Sequence, residues 1–276
     1  MSEQNPLGQT TTYPEHYHPG LLYPLARAET RRALGLPEAT LATNQLPFNG
    51  TDWWTAYEVS WLDALGKPQV ALAQFAIPCA SPYLVESKSF KLYLNSFNQS
   101  EFGGIDEVKE HLKTDLARAL GADLEVRLTA LADARLPIEA PRGLCLDSLP
   151  VSADRYFPEP DYLSVGSVRA EERLYSHLLK TNCPVTGQPD WATLEIAYRG
   201  LRIDHEGLLR YIISFRNHQD FHEHCVERMY LDIMERCRPD YLSLFARYTR
   251  RGGLDINPFR CSEPGQTPEF ERLLRQ

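Results

Sequence analysis

The chain has 276 residues, of which 43% are hydrophobic and 24% are charged, and its formal net charge is −8. This length is enough for two domains with separate cores, and the composition is that of a globular protein. An acidic chain gains little from counterion release on phosphates, so we expect no direct binding of nucleic acid. The sequence contains neither a membrane-length apolar stretch nor the basic and apolar regions of a secretory signal. We therefore expect a cytoplasmic protein with no membrane partner.

The first half is predicted to be an N-terminal arm, residues 1–50, followed by a unit of strands and helices over residues 51–136. The arm is rich in Thr, Pro, Tyr and Leu and contains a short helix candidate at Leu25–Leu34. Alternation and helical spacing define the elements of the unit. They are a strand at Trp53–Leu62, a Leu-Gly-Lys turn, a strand at Pro68–Pro78, a polar-to-apolar segment at Glu86–Phe97, a helix at Ile105–Leu120 that Gly121 ends, and a strand at Asp123–Leu131.

The second half is predicted to repeat this order. Residues 137–163 are rich in Pro, Asp and Ser and form a linker, and a second unit covers residues 164–276. Its predicted elements are a strand or short helix at Leu174–Thr181, a strand at Trp191–Tyr198, a buried apolar segment at Leu208–Phe215, a helix at Asp220–Cys237, a strand at Asp240–Thr249 and a turn at residues 250–253.

The two halves also match in their letters. Tyr93-Leu-Asn-Ser-Phe97, then Phe102 and a helix, parallels Tyr211-Ile-Ile-Ser-Phe215, then Phe221 and a helix, at an offset of 118 residues (214 minus 96). Chance similarity between two amphipathic units is the alternative explanation. As a duplication, the match predicts an α+β protein with two units, each an antiparallel sheet backed by helices.

Six cysteines are scattered without any C-x-x-C pair: Cys79, Cys145, Cys183, Cys225, Cys237 and Cys261. In a cytoplasmic chain of this length they are expected to be reduced, and most are expected to pack in the core. Cys183 differs because it begins the loop Cys183-Pro-Val-Thr-Gly-Gln-Pro-Asp190, whose prolines and glycine restrict the backbone. Such a loop could direct a nucleophilic thiolate and a general-acid carboxyl group to one reacting atom. Composition alone favours a structural cysteine.

Two basic segments could contact phosphate groups. The first is Glu86-Ser-Lys-Ser-Phe-Lys91, and a solvated basic strand edge explains it equally well. The second is Arg250-Arg251-Gly252-Gly253, for which a basic turn at a strand end is the simpler explanation. Neither a G-x-G-x-x-G segment after a strand nor a G-x-x-x-x-G-K-[ST] segment is present, so a Rossmann domain is not indicated. Lysine and arginine side chains would have to hold the phosphates of any nicotinamide cofactor.

A dense group of polar residues, His222-Glu-His-Cys225, raises the question of a metal site. His222 and His224 are two residues apart and point to different sides of a helix, whereas a shared face needs a spacing of four. Zinc is therefore poorly supported. The carboxylate of Glu223 could instead accept two parallel hydrogen bonds from the N1–H and amino group of a guanine-like ring.

Three segments together resemble those of the NADPH-dependent 7-cyano-7-deazaguanine reductases, the nitrile reductases of queuosine biosynthesis. They are Glu86–Tyr93, Cys183–Asp190 and Ser214–Glu223. The resemblance covers roughly residues 50–262 and follows the order of the longer, two-module form. It implies two tandem tunnelling-fold (T-fold) units, related to GTP cyclohydrolase I, that assemble as a homodimer. It implies a deazaguanine substrate, two NADPH per turnover and no metal.

The resemblance also implies a role for individual residues. Cys183 would add to the nitrile carbon as a covalent thioimide, and Asp190 would protonate the nitrogen. The implied substrate-binding residues are Val85, Glu86, Ser87, His222 and Glu223, and the implied NADPH-binding residues are Ser87, Lys88, Arg251 and Gly252.

Two other functions stay open at this point. A metal-dependent cyclohydrolase or related pterin enzyme of the same fold would use His222, His224 and Cys225 as ligands. A purine-binding or scaffold protein would leave Cys183 inert. The first predicts zinc in the protein, and the second predicts ligand binding without NADPH oxidation.

Overall fold

The computed structural model describes residues 13–269 and 271–276. These residues form two compact units. The first contains the described residues up to Gln45 together with Asp52–Leu136 and Arg250–Asp255, and the second contains Leu46–Thr51, Pro137–Thr249 and the described residues from Ile256 to Gln276. Both units mix strands and helices, so the predicted α+β class is confirmed.

These units do not follow the predicted module boundaries in every segment. Residues 137–163, predicted as a linker, belong to the second unit, and residues Arg250–Asp255, from the second half of the sequence, belong to the first. Residues 1–12 of the predicted arm lie outside the described residues. The division into an arm, two modules and a linker stays a prediction. No helix within the described residues is both long and apolar enough to cross a membrane.

The first unit contains an antiparallel strand layer and its covering helices. The strand order is β5-β3-β2, and β1 and β4 form a separate two-stranded sheet. The elements are β1 Pro24–Ala26, α1 Arg27–Ala33, α2 Glu38–Thr43, β2 Asn49–Leu62, β3 Pro68–Pro78, β4 Tyr83–Val85, α3 Ser87–Asn95, α4 Ile105–Leu120 and β5 Glu125–Ala130, of which the first three residues of β2 belong to the second unit.

Helix α3 covers this layer through aromatic contacts. The ring of Phe90 lies 5.3 Å from Trp54 of β2 and 5.2 Å from Phe75 of β3, measured between ring centroids. Edge-on aromatic contacts of this kind stabilise a core beyond the area they bury. Helix α4 buries Val108, Leu112, Leu116 and Leu120, the helical face that its sequence spacing predicts.

The second unit has a longer strand layer in the order β10-β9-β8-β7-β6. Ile196 of β8 pairs with Leu244 of β9, and both side chains are fully buried. The helices of this unit supply the other side of the core. The elements are β6 Leu144–Cys145, β7 Val165–Asn182, β8 Pro189–Ile203, α5 His205–Ser214, α6 His222–Cys237, β9 Tyr241–Tyr248 and β10 Leu254–Cys261, of which the first two residues of β10 belong to the first unit.

The order of elements recurs apart from β4, which has no counterpart between β8 and α5. The series β2, β3, α3, α4, β5 recurs as β7, β8, α5, α6, β9, and α5 begins 118 residues after α3 (205 minus 87). A hydrogen bond between a buried tyrosine and an aspartate recurs with it. The Tyr93 hydroxyl donates to Asp115 at 2.7 Å, and the Tyr211 hydroxyl donates to Asp232 at 2.6 Å.

The structure corrects or completes several local predictions. The segment Glu86–Phe97 contains helix α3, Ser87–Asn95, followed by a turn, and is not a strand edge. Glu86 caps this helix, because its carboxylate accepts from Lys88 N at 2.9 Å and Ser89 N at 2.8 Å. The open segment Leu174–Thr181 is strand, and the buried segment Leu208–Phe215 is mostly α5. The sequence analysis missed β10 because Pro258 interrupts it, and proline removes a ladder hydrogen bond.

We expect the substitution Tyr211→Phe to lower the free energy of unfolding by about 1–3 kcal/mol. It removes the hydroxyl that donates to Asp232 and leaves a largely buried carboxyl group without that donor. Urea unfolding monitored by circular dichroism measures the change. Tyr241→Phe, at a half-buried tyrosine of β9, is the control. Equal losses in the two variants would contradict a specific role for the pair.

Candidate active site

The turn that joins β7 to β8 holds Cys183 in a defined place. Cys183 N donates to Gln188 O at 2.9 Å, and Gly187 N donates back to Cys183 O at 3.0 Å. Gly187 has φ +67°, a left-handed conformation that glycine adopts without strain. Cys183 is the first residue after β7 and is half-buried. Its position is therefore set by the backbone of the turn.

Asp190 lies on the opposite strand of the same hairpin. It is 3% exposed and pairs with Thr181 of β7, which is fully buried. Directly opposed residues of an antiparallel pair share one face of the sheet, and residues two apart on a strand share it too. Continuing this alternation by one step puts Cys183 on the face of Thr181 and Asp190. The hairpin thus directs the thiol and the carboxyl group to one side.

His222 contacts Asp190 from the first residue of α6. Its Nε2 lies 3.4 Å from Asp190 Oδ2. The imidazole is stacked on the ring of Tyr248, with 3.6 Å between centroids and 1° between planes. His222 Nδ1 is buried and has no hydrogen-bond partner among the described residues. A buried nitrogen of this kind calls for an explanation, and a bound ligand is one.

The start of α6 is tied to the end of β7. Asn182 N donates to His218 O at 2.8 Å, and Asp220 N donates to Asn182 O at 3.3 Å. Burial raises the pKa of Asp220, but the imidazoles of His218 and His224, 3.7 Å and 3.3 Å from its carboxylate oxygens, outweigh burial and leave this pKa well below its usual range. The ionised carboxylate therefore anchors the segment that delivers His222 and Glu223 beside the hairpin.

Cys225 lies close to these groups but differs from Cys183 in its surroundings. Burial raises the pKa of Cys225 far above its usual value, and the negative charges of Asp220, Glu223 and Asp190 raise it further. Cys225 is therefore a neutral thiol in the core. Glu223 is only 2% exposed and belongs to the first turn of α6.

The two histidines that raised the question of a metal site face different carboxylates. His222 contacts Asp190, whereas His224 Nδ1 lies 3.3 Å from Asp220 Oδ1. Over residues 13–269 and 271–276, no group of three or more His, Cys, Asp and Glu side chains is suited to a metal ion. The cyclohydrolase alternative therefore has no ligand set in this part of the chain.

The first unit holds the lysine segment at the start of α3. Val85 ends β4, and Glu86 links that strand to the helix with both carboxylate oxygens on helix N–H groups. Val85 and Glu86 are 2% and 4% exposed, so the connection is rigid and Ser87 and Lys88 begin the helix in a fixed direction. The sequence analysis did not foresee this capping role of Glu86.

The glycine turn of the first unit lies against the same helix. Arg251 N donates to Leu254 O at 2.9 Å, and Gly252 and Gly253 have φ of +56° and +72°, as in a type I′ turn. A Cβ atom on Gly252 would lie 3.3 Å from Lys91 Cδ. The two basic segments, predicted separately from the sequence, thus meet in space.

The predicted site residues fall into two sets. Cys183, Asp190, His222 and Glu223 belong to the second unit, and Val85, Glu86, Ser87, Lys88, Arg251 and Gly252 belong to the first. The sequence analysis missed Tyr248, which contacts His222, because the two are 26 residues apart (248 minus 222) on different elements. Alternation along β9 predicts that Tyr248 is on the buried face, but it does not predict which side chain the ring of Tyr248 contacts.

A cavity of about 570 Å³ lies elsewhere in the second unit. Its lining includes Glu195, Arg247 and Tyr241, which alternate with the buried residues of β8 and β9, and none of the predicted site residues. Arg247 is paired with Glu195 at 2.6 Å, and Arg142 with Glu269 at 2.6 Å. The cavity is lined in part by β7 and β8 but does not include the turn at Cys183.

Comparison with known proteins identifies the family. The profile of the family described as "Nitrile reductase, 7-cyano-7-deazaguanine-reductase N-term" matches residues 13–128, and that described as "QueF-like protein" matches residues 189–266. A protein named NADPH-dependent 7-cyano-7-deazaguanine reductase from Burkholderia multivorans is 53% identical over 99% of both chains. Its namesake from Chromohalobacter salexigens is 54% identical over 99% of this chain and 97% of its own. This chain belongs to the family of NADPH-dependent 7-cyano-7-deazaguanine reductases.

A solved structure is also similar in part. It is titled as the apo form of the archaeosine synthase QueF-Like, is 18% identical, and covers 39% of this chain and 97% of its own with a TM-score of 0.28. At that score the likeness supports no conclusion about the fold.

We expect iodoacetamide to alkylate Cys183 in the folded protein and to leave Cys225 unmodified. Alkylation needs an accessible thiolate, and Cys225 is buried with a raised pKa. Burial likewise raises the pKa of Cys237 to about 11, so Cys237 is a matched unreactive control. Peptide mapping by mass spectrometry after short exposures measures each site. Modification of Cys225 as fast as that of Cys183 would contradict this assignment.

Proposed function

We propose that this chain reduces the nitrile of 7-cyano-7-deazaguanine to the primary amine of 7-aminomethyl-7-deazaguanine, with NADPH as reductant, in queuosine biosynthesis. The observation that carries the proposal is the β7–β8 hairpin, with half-buried Cys183 at its turn and buried Asp190 in contact with His222. Family membership supports the reaction class.

The first proposed step joins Cys183 to the substrate. The sulfur forms a bond to the nitrile carbon, one π bond of the nitrile breaks, and Asp190 supplies the proton that the nitrogen takes up. The product is a thioimide. Nitriles are weak electrophiles, so covalent addition divides one difficult reduction into easier steps. The amino end of α6, which carries partial positive charge, lies beside the end of β7 and favours a thiolate there.

The later steps release the thiol. Two NADPH molecules would each supply one hydride ion when bound, and the two hydrides together carry the four electrons of the reduction. The nitrogen takes up a second proton, which comes ultimately from solvent, when the imine becomes the amine. Cys183 keeps the carbon in place until its carbon–sulfur bond breaks and the thiolate returns. Protein groups must then exclude water from the imine until it is reduced, because water would hydrolyse it.

Glu223 and His222 are the proposed contacts to the deazaguanine ring in the second unit. A buried carboxylate can accept two hydrogen bonds from a guanine-like edge, and Glu223 is 2% exposed. The buried Nδ1 of His222, without a partner in the described chain, would gain one from the substrate. The family resemblance adds Val85, Glu86 and Ser87 to the proposed substrate contacts.

Ser87, Lys88, Arg251 and Gly252 are the proposed contacts to NADPH. Helix α3 begins with Ser87 and Lys88, whose hydroxyl and ammonium groups can donate hydrogen bonds to phosphate oxygens. The turn with Arg251 lies against Lys91 of the same helix, so cationic groups converge there. These residues therefore fit a phosphate-bearing cofactor.

The proposal includes an assembly and a fold family. The repeated order of two strands, two helices and a third strand supports two tandem T-fold units. We propose that the chain acts as a cytoplasmic homodimer without a metal ion and without direct contact to nucleic acid.

We expect the purified protein to oxidise two NADPH for each amine formed, and Cys183→Ala to lower the rate at least about 1000-fold. Absorbance at the nicotinamide band and product mass measure both quantities. Cys145→Ala, at a half-buried cysteine outside the hairpin, is the matched control and keeps the wild-type rate. A Cys183→Ala variant with the wild-type turnover rate would contradict the proposal.

The same assay separates the alternatives. Full activity after chelation and removal of metal would exclude the cyclohydrolase. Nitrile binding without NADPH oxidation in the wild-type protein would instead support a binding protein.

We expect Lys88→Gln and Arg251→Gln each to raise the KM for NADPH about 10-fold or more, with a smaller change in kcat. Each removes a charge-assisted hydrogen bond to phosphate, which contributes about 1.5–3 kcal/mol. Lys113→Gln, on the exposed side of α4, is the control. Steady-state kinetics at fixed nitrile concentration measures the effect, and an unchanged KM in both variants would refute the assignment.

A further inference from the structure

We propose that Tyr248 is a positioning residue whose ring clamps the imidazole of His222 so that its Nε2 faces Asp190. The inference rests on the proposed function, because it concerns delivery of the proton that Asp190 gives to the substrate nitrogen. No motif in the sequence pointed to Tyr248. The geometry of its contact with His222 does.

The stacking itself is the first observation. The two rings are parallel within 1°, and their centroids are 3.6 Å apart, which is the thickness of an aromatic ring. At this separation the imidazole cannot turn about its long axis without striking the phenol ring. Aromatic pairs left to themselves prefer offset or edge-on contacts to a direct face-to-face arrangement. The surrounding protein must therefore hold these rings in place.

The second observation is how firmly Tyr248 is fixed. It is the last residue of β9, where a strand would tend to fray, yet it is fully buried. Its N–H donates to Asn257 Oδ1 at 3.1 Å, and the same oxygen accepts from Gln276 Nε2 at 2.8 Å. Asn257 is fully buried and Gln276 is 6% exposed. A buried amide pair thus holds the end of β9 against the site.

The ring of Tyr248, and not its hydroxyl group, carries the proposed role. Burial raises the pKa of Tyr248 far above its usual value, and Cys225, Asp190 and Glu223 contribute further. The hydroxyl therefore keeps its proton and does not take part in proton transfer. A phenylalanine at this position would preserve the clamp, which makes it a conservative variant that separates the ring from the hydroxyl.

The consequence for His222 is a single orientation and a single tautomer. Nε2 faces Asp190 Oδ2 at 3.4 Å, so an N–H group at Nε2 would point its hydrogen at that carboxyl group. A loosened imidazole would share its time among other orientations and lose this contact with Asp190. Misplacement of a catalytic group by about 1 Å can cost a factor of about 100 in rate.

The first test compares Tyr248→Leu, Tyr248→Phe and Tyr230→Leu. We expect Tyr248→Leu to slow thioimide formation at saturating nitrile about 10- to 100-fold. The Kd for the nitrile should rise by a smaller factor, because His222 is also a proposed contact to the ring. Tyr248→Phe should restore the rate. Tyr230→Leu removes another buried tyrosine, which packs on Phe48 with 5.7 Å between centroids, and controls for lost stability. Rapid mixing and quenching, followed by intact-protein mass spectrometry, gives the rate of thioimide formation. Equilibrium binding of the nitrile to each tyrosine variant combined with Cys183→Ala gives the Kd.

Three outcomes overturn the inference: Tyr248→Leu with the wild-type rate, a slower rate explained wholly by weaker binding, or equal slowing in Tyr230→Leu. A second readout does not depend on activity. In ¹⁵N-histidine NMR spectra, we expect one Nε2–H tautomer for His222 in the wild type and Tyr248→Phe, and averaged signals in Tyr248→Leu. His222→Gln assigns the resonance. If the wild type forms no adduct, the proposed function fails, and unchanged His222 signals in Tyr248→Leu would separately refute the clamp.

Discussion

The antiparallel pairing of β7 with β8 is the constraint on which the candidate site depends. Two backbone hydrogen bonds close the turn at Cys183, and the register of the strands sets Asp190 opposite Thr181. A shift of one residue would turn Asp190 away from the buried face. The end of β7 also holds the segment that starts α6, through Asn182 and Asp220. Cys183, Asp190 and His222, the proposed nucleophile, the proposed acid and its neighbour, therefore all depend on this one hairpin for their positions.

The internal repeat shows what is particular to this hairpin. In the first unit, Asp63 N donates to Lys67 O at 3.0 Å and Gly66 N donates to Asp63 O at 2.8 Å, so that turn is one residue shorter than the turn at Cys183. The Asp63 side chain accepts from Lys67 N and Leu65 N, which lowers the pKa of Asp63 and closes the turn. The first residue after the strand is this structural carboxylate in the first hairpin and Cys183 in the second. The corresponding turn thus serves structure in the first unit and, in our proposal, chemistry in the second.

Local patterns in the sequence predicted much of the fold because they depend only on neighbouring residues. Helical spacing gave the bounds of Ile105–Leu120, and the match of Tyr93 with Tyr211 predicted the repeat. Contacts between residues far apart in the sequence could not be predicted from such local patterns. The stacking of Tyr248 on His222 and the approach of Gly252 to Lys91 depend on tertiary packing. The Cys183 loop was found from its composition, but its partner His222 acquired a defined contact only in the structure.

Mass spectrometry of the protein mixed with 7-cyano-7-deazaguanine alone would test whether Cys183 is the nucleophile. Our account predicts a mass increase equal to the whole nitrile, located by peptide mapping at Cys183, absent from Cys183→Ala and removed when NADPH is added. Absence of this adduct in wild-type protein that demonstrably binds the nitrile, or its location at another cysteine, would contradict the account.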